Sequence, residues 1–207
     1  MHKIIDNNFV KSLVDSLRHT GTKPADFYRI TTTISQLLAY EALKEMEYSS
    51  ENIPIWTGEP YIATTIDQQN LVILPILRAG IGMLDGVRHL LSAAQVQVLG
   101  MFRDEKTLKP VWYYNKLPEK MNKLHAILID PMLATGGSLT DAVRELKRRN
   151  CYKITILAIV ASPEGIDRIE DEAPDINIIV ASLDSHLNEN GYIIPGLGDA
   201  GDRIFNT

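Results

Sequence analysis

The sequence predicts an α/β protein with a mostly parallel central sheet flanked by helices, on three observations. From residue 60 onward, short apolar or β-branched runs alternate with helix signals, the rhythm of strand–helix–strand units. Several runs, "LVILPIL" (71–77), "AILID" (126–130) and "ITILAIVAS" (154–162), are apolar without alternation, as strands covered on both faces are. A chain of 207 residues with 45% hydrophobic composition can bury one substantial core, so residues 1–207 are read as a single domain.

The elements follow in chain order. Residues 1–50 form a helical part, "FVKSLVDSLRH" and then "PADFYRITTTISQLLAYEALKEM", with Pro24 where a first helical turn tolerates it. Strands are read at "YIATTI", "LVILPIL", "VQVLGMFR", "VWYYNKL", "AILID", "ITILAIVAS" and "INIIVASL". Helices follow the second, fifth and sixth of these, at "IGMLDGVRHLL", "SLTDAVRELKRR" and "PEGIDRIEDE". Residues 97–118 break the alternation: two strand-like runs joined by a charged turn read as a projecting hairpin. There is no internal repeat, low-complexity tract or interdomain linker.

Charge and cysteine usage narrow the function classes. A formal net charge of −5 and a pI near 5.5 give no electrostatic footprint for nucleic acid or an anionic membrane, so an anionic ligand must be caught locally. Cys151 is the only cysteine, and His2, His19, His89, His125 and His186 are scattered without metal-ligand spacing. The N-terminus lacks a signal-type apolar run, and nowhere do 18 apolar residues follow one another. A soluble chain of the cytoplasm, with neither nucleic-acid nor membrane partner, is expected.

Ligands of open α/β sheets bind beyond the carboxyl ends of strands, which singles out three loops. In "AILIDPMLATGGSLTDAV" (126–143), Leu139, Ala142, Val143 and Leu146 form one apolar stripe, and basic residues crowd the last turns, giving a helix over about 139–149. Ser138 and Asp141 resemble a capping box. Gly136 and Gly137, with the Thr135 and Ser138 hydroxyls, would present free amides at the helix start, a nest for one phosphate monoester. No lysine follows the glycines and the spacing is not G-x-G-x-x-G, so triphosphatase and dinucleotide readings lose support. Asp130 suits the hydroxyls of a ribose whose 5′-phosphate fills the nest. The bland alternative is a tight turn with a cap.

The second loop carries Arg78 at the end of an apolar run, then Ala79 and Gly80, small enough for close approach of a ligand. A diphosphate site follows if Arg78 is more than a strand-end cap, and Arg103 on the hairpin could add a second guanidinium. The third loop, "NENGYIIPGLGDAGDRIFNT" (188–207), interleaves Gly191, Gly196, Gly198, Gly201 and Pro195 with Tyr192, Ile193, Ile194 and Leu197. Its composition suits an ordered loop that reads a flat polar ligand through the main chain and clamps its faces with apolar side chains.

Together "DPMLATGGS" (130–138), "LRAG" (77–80) and "GYIIPGLGDAGDR" (191–203) resemble the phosphoribosyl-diphosphate signature, diphosphate loop and base-binding segment of the uracil phosphoribosyltransferase family. The resemblance implies a type I phosphoribosyltransferase fold, with residues 190–207 as base-binding segment. It implies the reaction of uracil with 5-phospho-α-D-ribose 1-diphosphate to UMP and diphosphate, with Mg²⁺, in pyrimidine salvage. Carried over residue by residue, the ribosyl-donor site comprises Arg78, Arg103, Asp130, Pro131, Met132, Leu133, Ala134, Thr135, Gly136, Gly137, Ser138 and Asp199. The uracil site comprises Ile193, Gly198, Asp199 and Ala200, and the catalytic set Arg78, Arg103, Asp130 and Asp199.

One departure separates the chain from the wider superfamily, in which two adjacent acidic residues usually precede the Thr-Gly-Gly turn: here Pro131 stands in place of the second. The uracil branch shares that feature. Mg²⁺ is then expected to be held by diphosphate, ribose oxygens and water rather than by protein ligands, with Asp199 an indirect partner. A homo-oligomer (dimer or tetramer) and an allosteric GTP complete the expected partners. The alternative in another class is a pyrimidine-responsive RNA-binding regulator on the same fold, whose mark is a basic face; the acidic balance speaks against it.

Overall fold

The apolar runs form the middle of the sheet, as their lack of alternation requires. In the computed structural model, residues 2–103 and 110–207 are described, apart from the side chains of Arg103 and Pro110. The chain opens with β1 (His2–Ile4), α1 (Asn8–Arg18) and α2 (Pro24–Leu43). Asn7 caps α1, its Oδ1 accepting from the Phe9 and Val10 amides at 2.8 and 3.3 Å, and Pro24 starts α2. A hairpin of β2 (Ser49–Pro54) and β3 (Pro60–Thr65) follows.

Next come β4 (Leu71–Leu77), α3 (Ile81–Leu90), the short β5 (Gln95–Val96), β6 (Leu99–Arg103), β7 (Pro110–Asn115) and β8 (His125–Ile129). Then β9 (Met132–Leu133), α4 (Gly137–Arg148), β10 (Lys153–Ala161), α5 (Pro163–Glu172) and β11 (Asn177–Leu183) complete the α/β part. The paired β12 (His186–Leu187) and β13 (Ile193–Ile194), and α6 (Ala200–Phe205), close the chain.

The main sheet runs β1-β11-β10-β8-β4-β6-β7, with β5 beside β4 and β9 beside β10. Every pairing in it is parallel except β6 with β7. Because side chains alternate along a strand, the central strands feed two cores at once. Leu71, Ile73, Ile127, Ile129, Leu157 and Ile159 pack under α1, α2 and α3. Their neighbours Val72, Leu74, Ala126, Leu128, Ile156 and Ala158 pack under Leu139, Val143 and Leu146 of α4 and Ile166 and Ile169 of α5. Register sets Pro75 against Ile129 and Ile129 against Leu157, so β8 stops at Ile129 while β4 runs on to Leu77 and β10 to Ala161, and Asp130 emerges between the two longer strands.

Four details differ from expectation. "YIATTI" does not join the main sheet but pairs with residues 49–54, whose polar composition "SSENIP" hid their strand character. The β1 edge strand, three residues long, is too short to signal itself by periodicity. "VQVLGMFR" divides into two short strands, both paired with β4, so the base of the expected hairpin continues the sheet. Helix α4 begins at Gly137, and its first turn has no side-chain cap; Asp141 instead lies 3.5 Å from Arg144 on the same helix, and the capping box is not made. Among the described residues no helix is long and apolar enough to cross a membrane.

Candidate active site

Beyond the carboxyl ends of β4, β8 and β10 lies a cleft of about 550 Å³, with residues 130 and 132–139 on one wall and residues 190–195 and 197–199 on the other. The first wall is shaped by where its carbonyls go. The Pro131 carbonyl accepts from the Ile159 and Val160 amides, both at 3.1 Å, extending the ladder of β10. The Leu133 carbonyl accepts from the Ser162 amide at 3.0 Å, Ala134 from the Ser162 hydroxyl at 2.8 Å, and Thr135 from Arg168 at 3.2 Å. Three successive carbonyls are thus drawn toward α5, two to its cap residue Ser162 and one to Arg168 within the helix. Gly136 then turns the chain with φ +71°, and the amides opening α4 lack intrahelical partners at the positive end of the helix. Oriented amides at a helix start are suited to an anion, and Thr135 and Ser138 line the cleft beside them.

Asp130 stands where this wall meets the sheet. Its amide donates to the Leu157 carbonyl at 3.2 Å, and its Oδ1 accepts from the Met132 amide at 3.2 Å. Burial among apolar strand ends, only partly offset by that amide, pushes its carboxyl up to about 7. A group so placed gains from any hydroxyl or cation that reaches it.

The opposite wall is a loop with a cis Ile194–Pro195 bond and glycines at positive φ at positions 191, 196 and 198. Ile193 and Leu197 are buried at its base, and Tyr192 is exposed at its rim. Asp199 accepts from the Asp202 amide at 3.0 Å and caps α6. Gly198 makes no hydrogen bond with any described residue, so its N–H and C=O are open to a ligand.

The expected site residues divide accordingly. Asp130, Met132, Leu133, Ala134, Thr135, Gly136, Gly137, Ser138, Ile193, Gly198 and Asp199 all line the one cleft. Pro131 is buried with its carbonyl in the sheet, and Ala200 is buried as the first residue of α6; neither lines the cleft. Arg78 lies outside the lining, tied to Asp202 of α6 at 2.9 Å and largely exposed. Gly80 has a packing reason to be small: an added Cβ would lie 2.5 Å from the Ile129 carbonyl and 2.7 Å from the Ile76 main chain, so the Arg78 loop lies close against β8 and β4. The Arg103 side chain lies outside the described residues. Gly191, Tyr192, Ile194, Pro195 and Leu197 of the third loop also line the cleft, as do Leu139 and Asn190, which the loop readings did not single out. Composition could place them in the right loops but not on the right face.

A parallel sheet that ends in a main-chain phosphate nest, a lone carboxylate beside it and a glycine-rich apolar wall across from both describes a phosphoribosyltransferase. The family is narrower than that class. The family model described as Uracil phosphoribosyltransferase matches residues 4–207, and the chain belongs to this family. It is similar to the AQ2163 protein from Aquifex aeolicus, with 35% identity and a TM-score of 0.94 over 99% of this chain and 98% of that one. Weaker similarity extends to a purine phosphoribosyltransferase from Pyrococcus horikoshii Ot3, at 16% identity and TM-score 0.49 over 75% of this chain and 87% of that one. A hypoxanthine phosphoribosyltransferase from Staphylococcus aureus matches at 14% identity and TM-score 0.49 over 76% and 74%.

Proposed function

We propose that the protein transfers the 5-phosphoribosyl group of 5-phospho-α-D-ribose 1-diphosphate to uracil, releasing diphosphate and forming UMP in cytoplasmic pyrimidine salvage. The observation that carries this reading is that one cleft joins two dissimilar walls, one of open helix-start amides and one of open loop main chain. Its volume of about 550 Å³ is in the range of small-molecule sites, roughly 300–1,000 Å³. The 5′-phosphate takes the amides of residues 135–138, and Asp130 accepts from the ribose hydroxyls. The base lies on Ile193, with its polar edge on Gly198 and the start of α6.

Departure of diphosphate from C1 leaves cationic character on the ribose and concentrates negative charge on the leaving group. Arg78, once released from Asp202, and Arg103 are the cations suited to that charge, so positioning and electrostatics supply most of the rate. The donor set suits Mg²⁺ carried in by the substrate. Asp130 and Asp199 are single carboxylates on one cleft, and no trio of metal-ligating side chains occurs among the described residues. Bound there, Mg²⁺ would neutralise diphosphate oxygens. Uracil N1 gives up its proton as the N1–C1 bond forms; Asp199 on the cleft is the candidate acceptor, and the departing diphosphate takes the proton if no side chain does. A homo-oligomer and GTP as effector belong to the same reading through the family resemblance.

The test is diphosphate release with uracil, cytosine, orotate, guanine and hypoxanthine side by side. Uracil presents an N3 donor between two carbonyl acceptors, whereas cytosine presents an N3 acceptor beside an exocyclic donor. A fixed main-chain frame is expected to prefer uracil by on the order of 10⁴-fold. 5-Fluorouracil, with the same edge, is expected to be used. Comparable kcat/KM for cytosine and uracil would overturn the assignment.

A further inference from the structure

The loop that faces the start of α4 across the cleft is held from behind by residues that do not themselves line the cleft. Asp184 follows β11, with its side chain only 1% exposed, and both of its oxygens are saturated. Oδ1 accepts from Arg18 Nη2 at 2.6 Å and from the Ser182 hydroxyl at 2.9 Å; Oδ2 accepts from Arg18 Nη1 at 2.7 Å and from the Gly196 amide at 2.8 Å. Arg18, the last residue of α1, also donates from Nη1 to the Gly196 carbonyl at 2.9 Å. The two main-chain groups of Gly196 are therefore gripped by the two partners of one ion pair. Burial works against the Asp184 carboxylate, yet Arg18, the Gly196 amide and Ser182 together hold it below the usual range.

Gly196 is where the loop reverses. Its φ is +62°, and a Cβ there would lie 2.1 Å from the Ile193 carbonyl, so the turn has no slack. On one side of it stand Ile194 and cis Pro195; on the other, Leu197, Gly198 and Asp199, all lining the cleft. The next carbonyl, Leu197, is drawn the same way: Arg203 donates to it at 2.8 Å and also to the Leu17 and His19 carbonyls at the end of α1. Consecutive carbonyls 196 and 197 thus point back toward α1, while the Gly198 main chain is left open to the cleft. Arginine is required for this. A lysine would keep the charge at position 18 but could not bridge both carboxylate oxygens and a carbonyl in one plane.

We propose that Arg18 and Asp184 are positioning residues for base recognition: an ion pair outside the cleft fixes the main chain of Gly196 and so sets the conformation in which the 193–199 loop reads the base. The N-terminal helix thereby becomes part of the specificity apparatus. The inference rests on the reading of residues 190–199 as the base wall, and it applies to whichever base the enzyme uses.

The experiment compares wild type, Arg18→Gln, Arg18→Lys and Asp184→Asn in the full chain. It measures KM for the preferred base at saturating ribosyl donor, donor affinity by calorimetry without base, and amide hydrogen exchange by mass spectrometry. Arg18→Gln and Asp184→Asn are expected to raise the base KM at least about tenfold while donor Kd stays within about twofold. Exchange in residues 190–199 is expected to quicken while β10 stays protected, and Arg18→Lys is expected to fall between wild type and Arg18→Gln. A base KM within about twofold of wild type, or base and donor constants weakened together, overturns the proposal. So does unchanged exchange in residues 190–199, which needs no turnover. A preference for a base other than uracil would overturn the uracil assignment alone, since the same comparison then runs with that base.

Discussion

The two walls of the cleft are built on opposite principles. The wall proposed for phosphate is local: strand end, turn and helix start lie within residues 129–139, and Ser162 and Arg168 at α5 take up their carbonyls. The wall proposed for the base is assembled from afar. Its turn at Gly196 is fixed by Arg18, 178 residues earlier, and Leu197 by Arg203, which is itself anchored on the end of α1. Phosphate recognition needs only oriented amides, which a short motif can supply, whereas shape-selective reading of a flat base needs a loop frozen by its surroundings. The donor wall is therefore expected to tolerate change elsewhere in the chain, and the base wall to register it.

The sharpest way to break that contrast is Gly198→Val. A Cβ there meets nothing nearer than Arg203 Cδ at 3.8 Å, so the core has room, but φ is +70° and the side chain would project where the base edge is to lie. A loss on the order of a hundredfold or more in kcat/KM for uracil is expected, with the melting temperature lowered by up to about 10 degrees because a β-branched residue at positive φ costs about 1–3 kcal/mol. Wild-type uracil kinetics would move the base elsewhere.

Asp130→Asn probes the other wall. Loss of charge-assisted bonds to ribose hydroxyls is expected to weaken donor binding by about 1.5–3 kcal/mol. A pH signature accompanies it. The Asp130 carboxyl titrates near 7 rather than at the ordinary 3.8, and ribose hydroxyls donate to its ionised form. Donor binding must therefore expel a proton below pH 7: affinity is expected to rise with pH up to about 7 and then level off. Titration calorimetry in buffers of different ionisation enthalpy reads the proton directly. The asparagine variant removes this component while leaving the donor's own phosphate titration, and equal proton release by both proteins would disprove the role.

The smallest effect is expected behind the phosphate wall. Glu145 on α4 accepts from Arg148, Arg149 and Asn115 of β7; with Arg148 the leading cause and burial opposing, its carboxyl falls to about 2. Its ion pairs stabilise the fold above about pH 4.5 and are lost as pH falls toward 2. Glu145→Gln is expected to lower stability near pH 7 by about 1 kcal/mol, to converge with wild type at pH 2, and to leave kinetics alone. Denaturant unfolding at the two pH values checks it.

How much was legible in the sequence follows the same division. The central strands and α4 announce themselves by apolar runs and a clean stripe, and the residues 132–138 that line the cleft are contiguous, so one motif finds them all. Ser138 misled as a cap because helix-start chemistry reads alike whether the hydroxyl serves the helix or faces a ligand. Gly80 could not be read uniquely, because close approach to a ligand and the close approach to β8 seen in the fold ask for the same residue. Nothing in the sequence marks Arg18 or Asp184: one ends an ordinary amphipathic helix, the other follows a strand, and only the fold brings them to 2.6 Å. Short, polar β2 escaped for want of a hydrophobic pattern.

The most direct test of the division between the walls is the equilibrium affinity for 5-phospho-α-D-ribose 1-diphosphate, measured by calorimetry without base on wild type, Gly198→Val and Asp130→Asn. The donor is expected to bind Gly198→Val within about twofold of wild type and Asp130→Asn at least about tenfold more weakly. If Gly198→Val loses donor affinity as severely as Asp130→Asn, the two walls do not serve separate substrates and the assignment is wrong.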